Sequence, residues 1–321
     1  MSNYPFRYKL SWLPRFVTPA LGPATPGVQS ETLLTGVEKT ARLVFVGDIS
    51  AVANRRTPAV DDALRTLFAS ANLIIGNCES PVVERPRYGG SRFGAKHAMS
   101  STFLSNLLDA ASIDPKKTVL SLANNHILDQ GVEGFDETLS ALDRLGIRTI
   151  GAVRDGWPSV HEARSLRIAF LAFTQWRNAS REAFEGRVMT LDDVTKRGRL
   201  IPDADLLCAV PHWDWEFRQQ PRPETQALGR RLVEGGVGLI AGHHAHVVQP
   251  MERIGEAVVA YGLGDFVGTA WPFVRRPLRT GAVFVADVSL DPATRGKIAR
   301  YELIMFDRQR EGDRERLTIR P

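Results

Sequence analysis

Cysteine is scarce in this chain, which has two cysteines among its 321 residues. Two thiols cannot build the disulfide framework that stabilises small secreted domains. Cys78 and Cys208 each follow apolar residues, so we expect both to be small buried side chains. The scarcity favours a reducing compartment, and we therefore expect a cytoplasmic protein.

Long apolar runs are absent as well. No stretch approaches the ~20 apolar residues of a transmembrane helix, and residues 1–29 lack the apolar segment of a secretory signal peptide. The net charge is only +5, and its arginines are scattered rather than clustered. We therefore expect no nucleic acid and no membrane span among the binding partners. A modest positive charge instead favours an anionic or peptide-like substrate.

The chain divides into an arm and one large domain. Residues 1–40 are rich in proline and show little apolar periodicity, which predicts an N-terminal arm that is loose or lies on the domain surface. Over residues 41–321, apolar runs typical of buried strands alternate with helical patterns. This alternation predicts a layered α/β domain. The polar residues 175–204 are predicted to be an irregular insertion.

Three of the chain's seven histidines lie within four positions, at His243, His244 and His246. They follow residues 237–240, a short apolar run that is typical of a buried strand. Ligand sites of open α/β sheets lie beyond the carboxyl ends of the strands. Imidazoles at this density coexist most easily as neutral donors to a shared cation. In an extended segment, His244 and His246 would point to one side and His243 to the other.

Five apolar runs each end in a group that can bind metal. These groups are Asp48, Glu79, Asn125 with His126, His212, and His244 with His246. Each alone has an ordinary explanation, such as a helix cap for Asp48 or a hydrogen-bonded core histidine for His212. Together they predict a shared site for one or two divalent ions. Nitrogen and oxygen donors without thiolate suit Mn, Fe, Zn or, where carboxylates dominate, Ca.

The order of these motifs resembles a known family. They are Gly47-Asp48, Asn77-Cys78-Glu79-Ser80-Pro81, Ala123-Asn124-Asn125-His126, His212-Trp213, Gly242-His243-His244-Ala245-His246 and Tyr261-Gly262-Leu263-Gly264-Asp265-Phe266. Over residues 41–270 the chain is similar to CapA, the poly-γ-glutamate capsule biosynthesis family of the calcineurin-like metallophosphoesterase superfamily. The resemblance implies a four-layered α/β/β/α fold with a metal site at the sheet edge.

The resemblance also implies roles for individual residues. The implied metal ligands are Asp48, Glu79, Asn125, His212, His244 and His246. His126 takes the position of the superfamily's general acid, and Asp129 would orient it. Two positions depart from the pattern: Ser50 stands where a second ligand usually lies, and Asp265 replaces the usual Asn. Asp265 is therefore a candidate ligand, base or partner of a histidine.

Three functional hypotheses follow from the sequence. The first is a metal-dependent hydrolase that acts on a phosphoester or on a poly-γ-glutamate-like peptide chain. The second is acid/base chemistry on a peptide in a tailoring pathway, either epimerisation or amide hydrolysis. The third is a non-catalytic accessory subunit of polymer synthesis. The extra charge of Asp265 would oppose an anionic phosphate unless Arg92, Arg177 or Arg275 offsets it.

Overall fold

A computed structural model of the chain describes residues 2–18, 30–51, 56–87, 96–197, 203–268 and 276–320. The helices are α1 (Phe6–Val17), α2 (Asp62–Ala69), α3 (Ser101–Ala111), α4 (Gly131–Leu145), α5 (Arg181–Phe184), α6 (Leu191–Arg197) and α7 (Pro223–Glu234). The strands are β1 (Ser30–Thr32), β2 (Thr40–Ile49), β3 (Ala59–Val60), β4 (Leu73–Asn77), β5 (Thr118–Ser121), β6 (Arg148–Ile150), β7 (Ser159–Ala163), β8 (Leu166–Thr174), β9 (Leu206–His212), β10 (Leu239–Ala241), β11 (Met251–Ile254), β12 (Ala257–Ala260), β13 (Asp265–Val267), β14 (Thr280–Ser289), β15 (Ile298–Glu311) and β16 (Arg314–Ile319). Within the described ranges, no helix has the length and apolar character needed to cross a membrane.

The strands form two sheets. The first has the order β3-β16-β15-β14-β2-β4-β5-β6, with β1 beside β15 and β13 beside β2. The second has the order β11-β12-β10-β9-β8-β7. Strands β2, β4, β5 and β6 run parallel in the first sheet, as do β8, β9, β10 and β12 in the second. Each sheet therefore gathers the carboxyl ends of several strands at one edge.

Successive side chains of a buried strand point to opposite faces of its sheet, and one of these faces packs against the other sheet. In β8, Ile168 and Phe170 lie in the core shared with the first sheet, whereas Ala169 and Leu171 lie in a second core with Leu232 of α7. A period of two is what a strand buried on both faces requires. Helices α2, α3 and α4 contact strands of the first sheet. The predicted four-layered α/β/β/α arrangement is therefore confirmed.

Helix ends follow the local signals in the sequence. Ser100 accepts a hydrogen bond from the backbone of Phe103 at the start of α3, and Gly146 ends α4 with a φ of 76°. Residues 59–60 form β3 beside β16, and α2 begins only at Asp62. This pairing joins segments far apart in sequence, and no local pattern indicates it.

Part of the predicted N-terminal arm is helical. Trp12 and Phe16 of α1 stack at 5.4 Å, and both rings pack edge-on against Phe217. The predicted irregular insertion contains α5 and α6, while its residues 198–202 lie outside the described part of the chain.

The close approach of chain segments at Gly242 gives the first testable prediction. A Cβ atom at this position would lie 2.1 Å from the Tyr261 carbonyl oxygen and 2.4 Å from Trp213 Nε1. We expect Gly242→Ala to lower the free energy of unfolding by about 1–3 kcal/mol through overpacking. The control is Gly229→Ala in α7, where the nearest atoms lie at an ordinary 3.4 Å. That variant should gain up to about 1 kcal/mol of helix propensity. If urea denaturation gave the same loss of unfolding free energy for both variants, the prediction would be wrong.

Candidate metal centre

Strand pairing places the segments that carry the predicted metal-binding groups side by side. Asp48 at the end of β2 is in register with Asn77 of β4 on one side and Asp265 of β13 on the other. In the second sheet, His212 at the end of β9 forms a bridge with His243. Because the ends of parallel strands meet at one edge, groups far apart in the sequence converge there.

The converging side chains form overlapping groups that could hold metal ions. The groups are Glu79, His212 and His244; Asp48, Glu79, His246 and Asp265; and Glu216, His244 and His246, with one ligand atom from each residue within 4.8 Å of the others. Glu79 belongs to the first two groups, so one carboxylate links them. Asn125 joins the first group, because its Oδ1 lies 2.7 Å from His212 Nε2. Glu216 was not predicted, since no apolar run ends directly before it.

Atoms without hydrogen bonds show that a cation fits this cluster. Both ring nitrogens of His244 and both carboxylate oxygens of Glu79 are buried, with no hydrogen-bond partner among the described residues. Both side chains are fully buried. A buried polar group left without a partner costs about 1–3 kcal/mol. Imidazole nitrogens with carboxylate and amide oxygens suit Mn, Fe or Zn.

Burial and neighbouring charges act differently on the two carboxylates of the cluster. Burial raises the pKa of Glu79, and the charges of Asp48 and Asp265 raise this pKa further. Burial alone would also raise the pKa of Asp48. His243, His212 and His246 together outweigh burial, and that pKa lies below its usual range. Asp48 is therefore a stable anion, whereas Glu79 needs nearby positive charge to ionise.

The histidines differ in the same way. Burial lowers the pKa of His212 and of His244, and both therefore stay neutral, the form that binds metal. Burial also disfavours the charged form of His246. The nearby carboxylates of Glu79 and Asp265 outweigh it and raise the pKa of His246.

The backbone of the histidine cluster departs from the predicted extended conformation. His244 and His246 have φ values of 86° and 54°, in the left-handed region that side chains with a Cβ rarely adopt. The predicted alternation of sides is therefore wrong. His243 Nδ1 lies 3.1 Å from Asp48 Oδ1, and the His244 backbone N–H donates to Asp48 Oδ2 at 3.0 Å. Such backbone strain is typical of functional sites.

His126 and Asp129 form the pair that the resemblance implies. His126 Nδ1 lies 2.6 Å from Asp129 Oδ2, which also accepts a hydrogen bond from the His97 backbone N–H at 2.8 Å. The His97 ring stacks on the His126 ring at 3.5 Å. The Nδ1 atom of His97 lies 3.2 Å from the Oγ of Ser50. Ser50 is the residue that stands where relatives usually have a second ligand. Sequence reasoning missed His97, because it follows an Arg- and Gly-rich stretch rather than a strand.

Asp265 lies between a histidine and a buried arginine. Its Oδ1 is 2.6 Å from His246 Nδ1, and its Oδ2 is 3.0 Å from a guanidinium nitrogen of Arg308. Arg308 is fully buried and also pairs with Glu315 at 3.2 Å. Asp265 is thus a partner of His246. Arg308 and Glu315 lie on β15 and β16, beyond the motifs, and were not predicted.

Of the three arginines considered from the sequence, Arg92 and Arg275 lie outside the described residues. Arg308 supplies the positive charge beside Asp265. Arg308 therefore offsets part of the charge of Asp265, because the same guanidinium also pairs with Glu315. The argument that Asp265 would repel an anionic phosphate is weakened.

The fold and the site together define a two-sheet α/β protein with a histidine- and carboxylate-rich cluster that could bind metal. Residues 42–270 match the family described as "Bacterial capsule synthesis protein PGA_cap", and the chain therefore belongs to this family.

Named relatives agree with this assignment. The chain is 26% identical over 245 residues to "PGA biosynthesis protein CapA" of Bacillus subtilis (strain 168), covering 70% of this chain and 62% of the relative. It is 32% identical over 163 residues to "Capsule biosynthesis protein CapA" of Bacillus anthracis, covering 47% and 40%. The chain thus spans less than two thirds of the length of each.

Solved structures give weaker similarities. A hypothetical protein from Thermus thermophilus superposes with a TM-score of 0.45 at 15% identity, covering 83% of this chain and 99% of that one. A 5'-nucleotidase from Candida albicans SC5314 gives 0.43 at 14% identity, covering 84% and 52%. Similarities this low do not bear on function.

The pairing of Arg308 with two carboxylates gives a prediction on stability. Arg308→Met removes the charge that Asp265 and Glu315 face, and breaking such a buried pair costs about 3–5 kcal/mol. The control is Arg300→Ala, which breaks the exposed pair with Glu302 at 3.2 Å. The exposed pair should contribute less than about 1 kcal/mol. Similar shifts of both variants in chemical denaturation would show that the buried pair adds little.

Proposed function

We propose that this chain is a metal-dependent hydrolase whose site binds two divalent cations that share Glu79. The observation that carries the proposal is the membership of Glu79 in two separate groups of ligand atoms. The ligands we propose are Glu79, Asn125, His212 and His244 for one ion, and Asp48, Glu79 and His246 for the other. Mn, Fe, Zn and Ca are the candidate metals.

A bound pair of cations would supply Lewis acidity and lower the pKa of a water molecule. His126 would protonate the leaving group, which is the role of a general acid. Its contact with Asp129 fixes the orientation of the ring, and its side chain is 13% exposed. This exposure lets the ring reach a substrate, as a general acid must. His246, a proposed ligand, is exposed to the same extent, so the contact with Asp129 and not the exposure distinguishes His126.

We propose an anionic chain of the poly-γ-glutamate type as the substrate, with a phosphoester as the alternative within the same chemistry. Support for the polymer comes from the relatives, whose names refer to PGA and capsule biosynthesis. Support for either substrate comes from the net charge of +5 and from the cluster's capacity for cations, which bind carboxylate and phosphate oxygens alike.

Separating the roles of two histidines tests the hydrolase proposal. We expect His126→Ala to keep its metal but to lose about 10²–10⁴-fold in rate, the usual contribution of a general acid. His244→Ala should lose both metal and activity, because it removes a ligand. Elemental analysis after purification without chelators measures the first property. Hydrolysis of an aryl phosphate and of poly-γ-glutamate measures the second.

Two outcomes would contradict the assignment. The role of His126 is wrong if His126→Ala empties the site as thoroughly as His244→Ala. The hydrolase proposal fails if the metal-loaded protein turns over neither substrate, and a non-catalytic accessory role in polymer synthesis would then be favoured.

One observation favours a second candidate, proton transfer at the Cα of a peptide, as in epimerisation. The site contains two imidazoles that each contact a carboxylate at 2.6 Å, His126 with Asp129 and His246 with Asp265. A carboxylate raises the basicity of its imidazole partner and fixes its orientation. Two such pairs would let one imidazole remove a proton while the other donates one.

Asp265→Asn distinguishes the two candidates. We expect phosphate ester hydrolysis to change by less than about fivefold, because the ions and His126 remain, while solvent deuterium uptake at the peptide Cα falls by about tenfold or more. The matched control is Asp129→Asn, which should impair both reactions through His126. If Asp265→Asn supports deuterium uptake at the wild-type rate, His246 is excluded as an acid/base group. Hydrolysis that collapses in this variant would contradict the proposed division of roles.

A further inference from the structure

The N-terminal segment, residues 2–18, is fixed against the candidate metal centre at both ends. At one end, Asn3 donates a hydrogen bond to the carbonyl oxygen of Gln175 at 2.9 Å and accepts one from the backbone of Arg177 at 2.8 Å. At the other end, Arg15 Nε donates to the Glu216 carbonyl oxygen at 2.9 Å. Arg15 is buried, although it belongs to the predicted arm. The segment is therefore a wall of the site.

Tyr4 is the residue of this segment that reaches the cluster. Its ring stacks on Trp176 at 5.0 Å and on Tyr8 at 4.4 Å, and it lies 6.1 Å from the ring of His244. Its hydroxyl oxygen accepts a hydrogen bond from Asn125 Nδ2 at 2.8 Å. The phenol is thus one amide away from the first group of candidate ligands.

The direction of this hydrogen bond leaves a donor available. A tyrosine hydroxyl has one proton to donate besides its acceptor capacity. Since the Asn125 amide donates to Tyr4, the phenolic proton is not used in that contact. The other side of the same amide lies beside His212 Nε2 at 2.7 Å. The phenolic hydroxyl is therefore separated by one amide from His212, a residue that would hold an ion of the first group.

We propose that Tyr4 contacts the substrate, donating its hydroxyl proton to an oxyanion oxygen held on the Asn125 side of the first group. The class of ligand is an oxyanion, either a phosphate or a carboxylate. This inference rests on the metal site of the proposed function. It adds a residue from outside residues 42–270, the range that the family matches, so the contact belongs to this chain's own N-terminal segment.

The test measures oxyanion binding rather than turnover. Inorganic phosphate and a γ-glutamyl dipeptide are titrated calorimetrically into the metal-loaded full chain and its variants. Tyr4→Phe keeps the ring and its stacking but removes the donor. We expect it to weaken binding of the preferred probe by about tenfold or more, the usual effect of losing a hydrogen bond to a charged group. Its metal content and thermal unfolding midpoint should match those of the wild type.

Tyr8→Phe is the matched control. Tyr8 belongs to the same stack, and its buried hydroxyl interacts with Glu216 and not with Asn125. This variant should bind the probe within about twofold of the wild type, a small fraction of one hydrogen bond. The probe that binds more tightly identifies the source of the oxyanion.

Each remaining outcome has a defined meaning. Wild-type binding in Tyr4→Phe overturns the inference, and so does an equal loss in Tyr8→Phe, because the effect would then come from packing. If the metal-loaded wild type binds neither probe, the inference about Tyr4 is wrong but the proposed metal site is not contradicted. A wild type that retains no metal overturns the proposed function along with it.

Discussion

The site depends on one buried carboxylate that has no hydrogen-bond partner within the described part of the chain. Glu79 is fully buried, and its Oε1 lies 3.4 Å from His212 Nε2 and 3.7 Å from His246 Nε2. Those distances are too long for hydrogen bonds but suit atoms that surround a common centre. An ionised carboxylate is costly to bury unless a charge or a metal compensates it. His212 and His246, which follow strands of the second sheet, meet here a carboxylate that follows a strand of the first sheet. The fold and the chemistry therefore share one constraint.

The framework around Glu79 is built from hydrogen bonds between strand ends. Asn124 Nδ2 donates to Asn77 Oδ1 at 3.1 Å and to the Cys78 carbonyl oxygen at 2.9 Å. Asn77 in turn donates to Asp48 Oδ1 at 2.7 Å. These amides connect the ends of β2, β4 and β5, and they hold the neighbouring ligand groups at fixed separations. Residues between the ligands therefore contribute to the site without contacting a substrate.

Much of this arrangement could be predicted from the sequence, because the main motifs are local. An apolar strand followed by a polar group places that group at the sheet edge, and parallel neighbours bring the edges together. The described strands accordingly end at or beside Asp48, Asn77 and His212. What could not be predicted depends on contacts distant in sequence. Arg308 lies on a strand with many charged residues and becomes recognisable only through its contact with Asp265. The contacts of α1 with the site also join residues distant in sequence, so they could not be predicted either.

The two carboxylate-backed histidines differ in how their partners are fixed, and this difference supports a division of labour. Asp265 forms an ion pair with Arg308, whose guanidinium is fully buried. The carboxylate that contacts the His246 ring is therefore itself held by a charged group. Asp129 is instead held by the backbone N–H of His97, a neutral donor. A charged anchor stabilises the carboxylate strongly, which suits a ligand that must keep one orientation. The backbone donor orients Asp129, and through it the ring of His126, without placing a further charge beside the pair. This difference is consistent with the roles proposed above, in which His246 would hold a metal ion and His126 would donate a proton.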